Sequence, residues 1–598
     1  MRRGALINTF GPGAMTDLPD YSVLVSGLDF WFGDQEQITE TRLTQKVAKL
    51  LDVSSIALRT PPAIREGDDS VKSGIPVFRF PDWFVTQDAE RMERAGVEGR
   101  SRFLVNSRAL SKGKFRHPDT DRRLSVVPVR FVRACRWGHI GDIDWYFFLH
   151  GNENTCRKQG RLLYMDERGT SGDLSEIFVR CACGQAERSM VQVAIRKAEV
   201  FGKCDGARPW LGPNMKENCD EINRLLVRTA SNTWFPQRLS VISLPERNHV
   251  VSDAVSAAWD FLETAESEQE VARERRKTKV KEALAGVTDQ EAWSEIQVRR
   301  GALGAEEKSV KAAELETLLA TTEVIGEDRP EGIFFARDLS TAQWNRPWMT
   351  GIEKVVLVQR LREVTALLGF TRFEPLAPDT EGELDMDVRR ADLARDLTWV
   401  PAVENKGEGV FIQFKKAAIQ EWLKRPAVGA RLQQLKRGFD KWKAEHQSSN
   451  RDFRSEYIML HSFAHLLITA VALECGYPAS SLRERIYALP SIGYGVLIYT
   501  GSSDAEGTLG GLVEVGRRIA DSIHSALDLA RLCSNDPVCS QHVPESTHES
   551  RYMQGAACHG CVLIAETSCE TQNELLDRAL VVSTVQGSEA EFFTEAPG

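Results

Sequence analysis

The sequence has 598 residues, of which 42% are hydrophobic and 27% charged, and its formal net charge is −9 at pH 7. This composition is typical of globular proteins and excludes a wholly disordered chain. A chain of this length is expected to form several domains. The acidic balance excludes a uniformly basic protein that coats nucleic acid, so any nucleic-acid contact must come from local basic regions.

The N-terminus and the apolar runs predict a cytoplasmic protein. The first twenty residues carry Arg2 and Arg3 but no apolar stretch before Asp17, so no signal peptide is predicted. The most apolar run, residues 463–477, is interrupted by His465 and Glu474. It is shorter than the roughly 18 residues that a membrane span needs, and we therefore expect no membrane segment.

In chain order, the sequence predicts a mixed α/β, multidomain protein with cysteine-rich zinc-binding modules and a helical insertion. Its five predicted parts are an N-terminal α+β domain (1–130), a cysteine-rich zinc-binding module (131–249), a helical insertion (250–329), an α/β core (330–500) and a C-terminal zinc-binding region (501–598).

Local patterns predict the elements within these parts. Short strands are predicted around residues 77–85, and at 176–180 and 190–195, which flank a cysteine pair. Residues 250–325 predict two or three helices, joined near Gly286 and residues 301–304. In the α/β core, residues 355–369 end in a glycine and predict a helix, as do residues 457–474, whereas residues 409–414 and 494–500 predict strands.

Twelve cysteines in a chain without an export signal are expected to be thiols or metal ligands rather than disulfides. Six of them lie between Cys135 and Cys219, and five lie between Cys533 and Cys569. This clustering indicates metal sites, with reduced core cysteines as the alternative.

The C-terminal group predicts one structural zinc site. Cys558 and Cys561 form a C-x2-C pair with a glycine in its turn, which presents two thiolates to one ion. Cys539 is the next expected ligand, and Cys533 and Cys569 compete for the fourth position. Redox chemistry at the C-x2-C pair is the alternative, although no thioredoxin-like context precedes it.

The N-terminal group offers ligands for a second zinc ion, but its spacing does not assign them. Its clearest element is the sequence Cys181-Ala182-Cys183-Gly184, which resembles a zinc-knuckle turn. The further candidate ligands are Cys204 and Cys219 as a second pair, and then Cys135, His139 and Cys156.

Recognisable catalytic motifs are absent from the sequence. It contains no P-loop, no zincin motif and no nucleophile elbow, so the chain is predicted not to be an enzyme. His461 and His465 share a helix face and, with Asp504, would form a metal-dependent nuclease site. Their apolar surroundings favour instead a buried pair that hydrogen-bonds a neighbouring loop.

Two local regions carry positive charge. Residues 100–136 contain eleven Lys or Arg against two Asp, and residues 415–443 contain nine against two acidic residues, with aromatic residues interleaved. Cations neutralise phosphates and aromatic rings stack on unpaired bases, although a solvated basic face is the alternative. The candidate DNA-binding residues are Lys112, Lys114, Arg116, Arg122, Arg123, Trp422, Lys424, Arg425, Lys436, Arg437, Lys441 and Trp442.

Several short strings occur in a characteristic order. They are residues 9–13 (TFGPG), 25–31 (VSGLDFW), 135–139 (CRWGH), 144–145 (DW), 181–184 (CACG), 208–210 (RPW), 460–465 (LHSFAH), 482–487 (LRERIY), 507–512 (GTLGGL), 555–558 (GAAC) and 576–578 (LDR). Together they resemble the DrmB family of the bacterial anti-phage defence system DISARM. The second half of the set also resembles the zinc-binding domain that follows the motor domains of some superfamily-2 helicases. Residues 220–400 carry little of this likeness.

The resemblance implies a subunit without a motor that forms a complex with the superfamily-2 helicase DrmA and engages foreign DNA. The missing P-loop, the predicted zinc and the two basic regions agree with it. We therefore predict a non-catalytic subunit that helps hold single-stranded or overhang-containing DNA, largely through backbone contacts. The alternatives are the nuclease described above and a pure helicase scaffold without DNA contact.

Overall fold

The computed structural model forms two compact units. Unit 1 comprises Met1–Arg238, Ala366–Leu376 and Val388–Val403, and unit 2 comprises Leu239–Thr365, Ala377–Asp387 and Glu404–Gly598. The predicted mixed α/β class is confirmed, whereas the five-part division stays a prediction. The described residues are 3–19, 21–62, 73–94, 97–152, 155–194, 200–245, 251, 254–255, 257–299, 309–321, 323–326, 328–329, 332–375, 378–384, 389–445, 451–501, 510–545 and 551–594.

Unit 1 is built mainly of short antiparallel strands. Its helices are Arg3–Asn8, Thr41–Leu50, Trp145–His150 and Thr155–Lys158. Its strands are Met15–Asp17, Ser22–Val25, Gln37–Ile38, Ala57–Arg59, Val77–Arg79, Trp83–Thr86, Glu90–Arg94, Val97–Asn106, Leu110–Ser111, Lys114–Arg116, Arg123–Pro128, Phe131–Ala134, Ile140–Gly141, Leu163–Glu167, Ile177–Cys181, Glu187–Ser189 and Arg224–Val227.

The largest sheet of unit 1 connects the region of the cysteine pair to the first basic region. From one edge to the other, its strands run in the order Glu187–Ser189, Ile177–Cys181, Leu163–Glu167, Val97–Asn106, Trp83–Thr86, Arg123–Pro128, Lys114–Arg116 and Leu110–Ser111, and Glu90–Arg94 also pairs with Val97–Asn106. Near its middle this sheet is apolar on both faces, because Leu104 belongs to one buried cluster whereas its neighbours Phe103 and Val105 belong to another.

Unit 2 combines helices with a sheet of short and long strands. Its helices are Trp259–Leu262, Glu268–Glu274, Thr278–Ala283, Asp289–Arg299, Val310–Leu319, Thr341–Trp344, Lys416–Leu423, Pro426–Glu445, Ser455–Cys475, Gly511–Gly516 and Ile519–Arg531. Its sheet runs in the order Val324–Gly326, Phe334–Asp338, Ile352–Thr371, Trp399–Phe414, Gly493–Thr500 and Leu482–Leu489. Strands Phe235–Ile242, Ile352–Thr371 and Trp399–Phe414 each contribute residues to both units.

The helix Ser455–Cys475, hereafter the core helix, lies at the centre of unit 2. It is apolar on all sides and is buried from Tyr457 to Ile468, as expected of a helix that is surrounded by other elements. Among the described residues, this is the one helix that length and composition alone would allow to cross a membrane, but 78% of its apolar window is buried inside the protein. The structure therefore explains its apolar character by packing.

The helix predicted at residues 355–369 is wrong, because this segment lies within the strand Ile352–Thr371. The segment contains Val355, Val356 and Val358, whose β-branched side chains favour strands, and it is buried along most of its length. A strand buried on both faces lacks the alternating pattern by which strands are recognised. Gly369 permits a close approach, since a Cβ there would lie 2.9 Å from the backbone oxygen of Ala391.

The other predicted elements had mixed outcomes. The helix at 457–474 and the strands at 409–414 and 494–500 are confirmed. The strand predicted at 190–195 is wrong, because residues Met190–Ala194 form a 3-10 helix and the partner strand is Glu187–Ser189. The helical insertion has more and shorter helices than predicted; the join near Gly286 is confirmed, and residues 301–304 lie outside the described residues.

Candidate metal centres and nucleic-acid interface

The C-terminal cysteines form a compact group of four, Cys533, Cys539, Cys558 and Cys561, hereafter the four-thiol centre. The Sγ–Sγ distances are 3.4 Å between Cys533 and Cys558, 3.7 Å between Cys539 and Cys561, and 3.7 Å between Cys558 and Cys561. A tetrahedral zinc ion with Zn–S bonds of about 2.3 Å requires Sγ–Sγ distances of about 3.8 Å. The four thiols therefore have the spacing of a closed zinc site.

The loop that carries Cys533 and Cys539 is fixed by a buried ion pair. The carboxylate of Asp536 accepts hydrogen bonds from the backbone N–H groups of Cys533 at 3.0 Å and of Ser540 at 3.1 Å. The fully buried Arg578 donates two hydrogen bonds to the same carboxylate, at 2.7 and 2.8 Å. The arginine of the LDR string thus positions one half of the four-thiol centre.

One thiol of the four-thiol centre, that of Cys561, ionises more readily than a free cysteine. The hydrogen bond that joins Cys539 and Cys561 raises the pKa of Cys539 and lowers the pKa of Cys561 to about 5. The backbone N–H of Gly560 donates to Cys558 Sγ at 3.3 Å, and that of Asn535 donates to Cys533 Sγ at 3.4 Å. Because zinc binds the thiolate form, these donors favour metal binding.

Cys569, which competed with Cys533 for the fourth position, belongs to a different cluster. It lies with His461, His465 and Glu484 in a group hereafter called the core tetrad. The Nδ1 atoms of the two histidines donate to backbone carbonyls, from His461 to Leu575 at 3.1 Å and from His465 to Val562 at 2.9 Å. The predicted hydrogen bonds from this buried pair to a neighbouring loop are therefore present, while Asp504 lies outside the described residues.

The N-terminal candidate ligands divide into two groups rather than one. Cys204 and Cys219 do not join Cys181 and Cys183; they lie instead with Cys135 and His139, in a group hereafter called the CHCC centre. His139 Nδ1 is 3.3 Å from Cys135 Sγ and 3.5 Å from Cys204 Sγ. The hydrogen bond from Cys135 lowers the pKa of Cys204 to about 4.

Groups around the CHCC centre orient its histidine and balance its charge. His139 Nε2 donates to the carboxylate of Glu217, which also pairs with Arg208 and Arg389. This carboxylate–histidine arrangement is the usual second layer of a zinc site and fixes which ring nitrogen faces the metal. The fully buried Arg372 donates to the carbonyls of Gly138 and Gly13, so a positive charge lies close to the thiolates.

The second N-terminal group consists of His150, Cys156, Cys181 and Cys183, hereafter the HCCC centre. His150 ends the helix Trp145–His150 and Cys181 ends the strand Ile177–Cys181 of the largest sheet. His150 Nε2 is buried and has no hydrogen-bond partner among the described residues, which is the condition of a ring nitrogen that faces an ion. Sequence reasoning missed His150, although it lies only six residues before Cys156.

The first basic region folds into a hairpin, hereafter the basic hairpin (110–125), at the far end of the same sheet. Strand Lys114–Arg116 pairs with Arg123–Pro128, and Arg116 lies opposite Arg123. Lys112 and Gly113 form the tight turn between the paired strands Leu110–Ser111 and Lys114–Arg116, both with positive φ, where glycine is favoured. Phe115 and the neighbouring apolar residues face the core, so the opposite face of the hairpin presents its cations to solvent.

Four cations of the basic hairpin are free of acidic partners within the described part of the chain: Lys112, Lys114, Arg122 and Arg123 are exposed. The fifth candidate in this region, Arg116, pairs with Asp121. A separate open cleft of about 610 Å³ has a mixed lining of four arginines and three acidic residues, namely Arg91, Arg100, Arg102, Arg168, Asp88, Glu98 and Glu167. The positive surface is therefore confined to the exposed cations of the basic hairpin itself.

The second basic region is largely engaged within unit 2. Lys436 pairs with Asp440, and Arg437 pairs with Glu545. Lys441 and Arg425 donate to the backbone carbonyls of Glu545 and Glu591, and Lys424 pairs with Glu421. Lys424, Lys436 and Arg437 are therefore paired with carboxylates, while Arg425 and Lys441 keep their charge but are held by backbone carbonyls.

Trp422 is not available for stacking on bases, which corrects the prediction for this residue. Its side chain is fully buried, its Nε1–H donates to the carbonyl of Ala590 at 2.9 Å, and its ring packs edge-on against Phe592. Trp442 is half-buried and packs against Phe439, with the guanidinium of Arg451 over its ring. Both rings are thus part of the packing of unit 2.

Comparisons with known proteins identify relatives of this chain and agree with the four-thiol centre. A family model described as a domain of unknown function (DUF8724) matches residues 2–235. A model described as the MrfA Zn-binding domain matches residues 463–562, which contain all four cysteines of the four-thiol centre. The chain is 30% identical over 580 residues to the DISARM protein DrmB of Bacillus paralicheniformis, an alignment that covers 91% of this chain and 95% of that protein. The prediction of a zinc cofactor is therefore confirmed for the C-terminal region.

Proposed function

This chain belongs to the DrmB family and is a subunit of the DISARM defence system, and we propose that it holds DNA for a partner helicase without catalysing a reaction itself. In this role, zinc ions stabilise both units, and the basic hairpin binds the phosphates of single-stranded or overhang-containing DNA. We assign a zinc ion each to the four-thiol, CHCC and HCCC centres, and we assign the protein to the cytoplasm.

The observation that carries the DNA-binding proposal is the group of unpaired cations on the basic hairpin. Lys112, Lys114, Arg122 and Arg123 are exposed charges on the strands and connections of the hairpin, and they can exchange water for phosphate without breaking an ion pair. Such contacts carry no base specificity, which suits a defence protein that must hold foreign DNA of any sequence. The ion-paired cations at 424–441 are poorer candidates, because each phosphate contact there would compete with an existing partner.

Fluorescence anisotropy with a labelled single-stranded oligonucleotide tests this proposal on the full chain. The variant Lys112→Gln with Lys114→Gln removes two hairpin cations, and Lys424→Gln with Lys436→Gln removes two ion-paired cations as the matched control. We expect the salt slope of binding to fall by about 1.4 in the hairpin variant, at about 0.7 for each lost contact to a single strand. The control should retain the wild-type slope.

Two outcomes would contradict the hairpin proposal. One is an unchanged slope in the hairpin variant, and the other is a larger loss in the control, which would move the interface to the second basic region. A chain that does not bind the oligonucleotide even at low salt would support the scaffold alternative, in which the protein recruits a helicase without touching DNA.

Partnering with a superfamily-2 helicase, DrmA, follows from the family resemblance and is supported by exposed apolar residues beside the four-thiol centre. Leu532 and Val538 adjoin the ligands Cys533 and Cys539, and they are 73% and 68% exposed. Apolar side chains that are exposed close together can form a protein-binding surface, and each of these two is adjacent in the sequence to a ligand of the metal loop. We expect them to contact the helicase.

Co-purification with the helicase tests this surface. Leu532→Asp with Val538→Asp should reduce recovery of the helicase while zinc content stays at the wild-type level. Leu473→Asp is the matched control, because Leu473 is 74% exposed but lies on the core helix, distant in sequence from the metal loop. Full recovery of the helicase with the double variant would refute the assignment of this surface.

A further inference from the structure

The four side chains of the core tetrad lie close enough together to hold one metal ion. We propose that His461, His465, Glu484 and Cys569 bind a zinc ion that is separate from the four-thiol centre and joins three segments of unit 2. The two histidines lie one turn apart on the core helix, Glu484 lies on the strand Leu482–Leu489, and Cys569 lies on the C-terminal segment.

The distances within the core tetrad are those of a coordination shell. His461 Nε2 lies 2.9 Å from Glu484 Oε1 and 3.2 Å from Cys569 Sγ, and His465 Nε2 lies 3.3 Å from the same Glu484 oxygen. All four ligand atoms lie within 4.8 Å of one another. Bonds of about 2.0 Å to nitrogen or oxygen and about 2.3 Å to sulfur, arranged tetrahedrally, place ligand atoms roughly 3.3 to 3.5 Å apart.

The second nitrogen of each imidazole ring fixes its orientation. Each Nδ1–H donates to a backbone carbonyl, that of Leu575 for His461 and that of Val562 for His465. Nδ1 of each ring therefore carries a proton, and Nε2 of each ring faces the other members of the cluster. Metal-binding histidines in proteins are held in this way by a carbonyl or carboxylate at the other nitrogen.

One buried oxygen atom of the cluster has no hydrogen-bond partner. Glu484 Oε2 is buried and accepts no hydrogen bond from any described residue, whereas Oε1 is near both histidines. A buried carboxylate oxygen without a partner is costly, and a divalent cation beside it removes that cost. With neutral imidazoles, one zinc ion balances the carboxylate and the thiolate, so the loaded site carries no net charge.

The burial of the site indicates a structural role. His461, His465 and Glu484 are at most 1% exposed and Cys569 is 5% exposed. A catalytic zinc keeps a coordination position open to water and substrate, whereas four protein ligands in a closed site serve folding. The ion would tie the C-terminal segment around Cys569 to the core helix, and it would leave the nuclease alternative without access to DNA.

Counting zinc by elemental analysis tests the proposal on the purified full chain. Cys569→Ser should contain one zinc per chain fewer than wild type. Cys475→Ser is the matched control, since Cys475 belongs to none of the four groups, and it should contain as much zinc as wild type. An equal zinc content in wild type and Cys569→Ser would overturn the proposal.

If Cys569→Ser does not fold, a measurement on the unsubstituted chain tests the same proposal. Anomalous scattering at the zinc edge from crystals of the wild-type protein should show a peak between His461, His465, Glu484 and Cys569, in addition to the peak at the four-thiol centre. A peak at the four-thiol centre with none at the core tetrad would overturn the proposal. Neither result depends on DNA binding, so a failure here is distinguishable from a failure of the proposed function.

Discussion

Replacing Arg431 by methionine removes a buried ion pair with Asp577 that connects the helix Pro426–Glu445 to the C-terminal segment. The side chain of Arg431 is 5% exposed and that of Asp577 is fully buried. Arg431 donates two hydrogen bonds to the carboxylate, from Nε at 2.7 Å and from a terminal nitrogen at 3.2 Å. Methionine retains much of the side-chain volume but leaves the carboxylate without its cation.

The size of the effect follows from what remains around Asp577. Removing one partner of a buried pair costs about 3–5 kcal/mol, because the other charge stays buried and unpaired. The backbone N–H groups of Ala556 and Ala579 still donate to this carboxylate, at 2.9 and 3.1 Å. We therefore expect the lower end of the range, about 3 kcal/mol, which is roughly a hundredfold in the unfolding equilibrium.

Urea unfolding followed by tryptophan fluorescence measures this change. The matched control is Lys436→Met on the same helix, where the lost pair with Asp440 is half-exposed and spaced i,i+4. Exposed pairs of this kind contribute only about 0.3–0.5 kcal/mol, so the control should unfold nearly like wild type. Equal stabilities for Arg431→Met and Lys436→Met would refute the argument that burial decides the strength of these pairs.

Three further predictions concern Trp422, Glu217 and Arg372. Trp422→Ala should lower the free energy of unfolding by about 3–5 kcal/mol in the same urea assay, and a near-neutral effect would contradict its place in the core. Glu217→Ala should weaken zinc binding at the CHCC centre by about 10- to 100-fold in competition with a chelator, because His139 loses its support; unchanged affinity would argue against this role. Arg372→Met should lower the thermal midpoint of unfolding, because buried carbonyls lose their donors, and a wild-type midpoint would count against it.

The sequence was sufficient to predict which residues share a metal site where those residues lie close together along the chain. Cys558 and Cys561 share one turn, so their pairing is visible in the spacing alone. Cys569 was ambiguous because its partners His461 and Glu484 are far away in the sequence and reach it only through the packing of the core helix and a strand. Likewise, Cys204 and Cys219 are separated from Cys135 by more than sixty residues, and local spacing cannot show which group they join.

The charge pattern at 415–443 and the apolar pattern at 355–369 led to wrong expectations for related physical reasons. The run at 415–443 counted Arg431 and Arg437 as free cations, because their partners Asp577 and Glu545 lie more than a hundred residues later. The segment 355–369 has apolar residues at almost every position, which a helix buried all round and a strand buried on both faces produce alike. In both cases, long-range contacts decided the outcome.

The family resemblance rested on strings that the structure now explains. The arginine of LDR fixes the loop of the four-thiol centre through Asp536, and the aspartate of the same string receives Arg431. The glutamate of LRERIY is Glu484, a member of the core tetrad. The resemblance is confirmed by the identity to a DrmB protein, whereas DNA contact and helicase partnering stay proposals.

The proposed function requires that zinc keep unit 1 folded, because the HCCC centre ties the helix that ends at His150 to the sheet that also carries the basic hairpin. The most direct measurement is a chelator titration of the full chain in which zinc release and affinity for a single-stranded oligonucleotide are recorded on the same samples. We predict that affinity falls as zinc is released and returns when zinc is restored. A zinc-free chain that keeps its native circular dichroism spectrum and binds the oligonucleotide as tightly as before would contradict this claim.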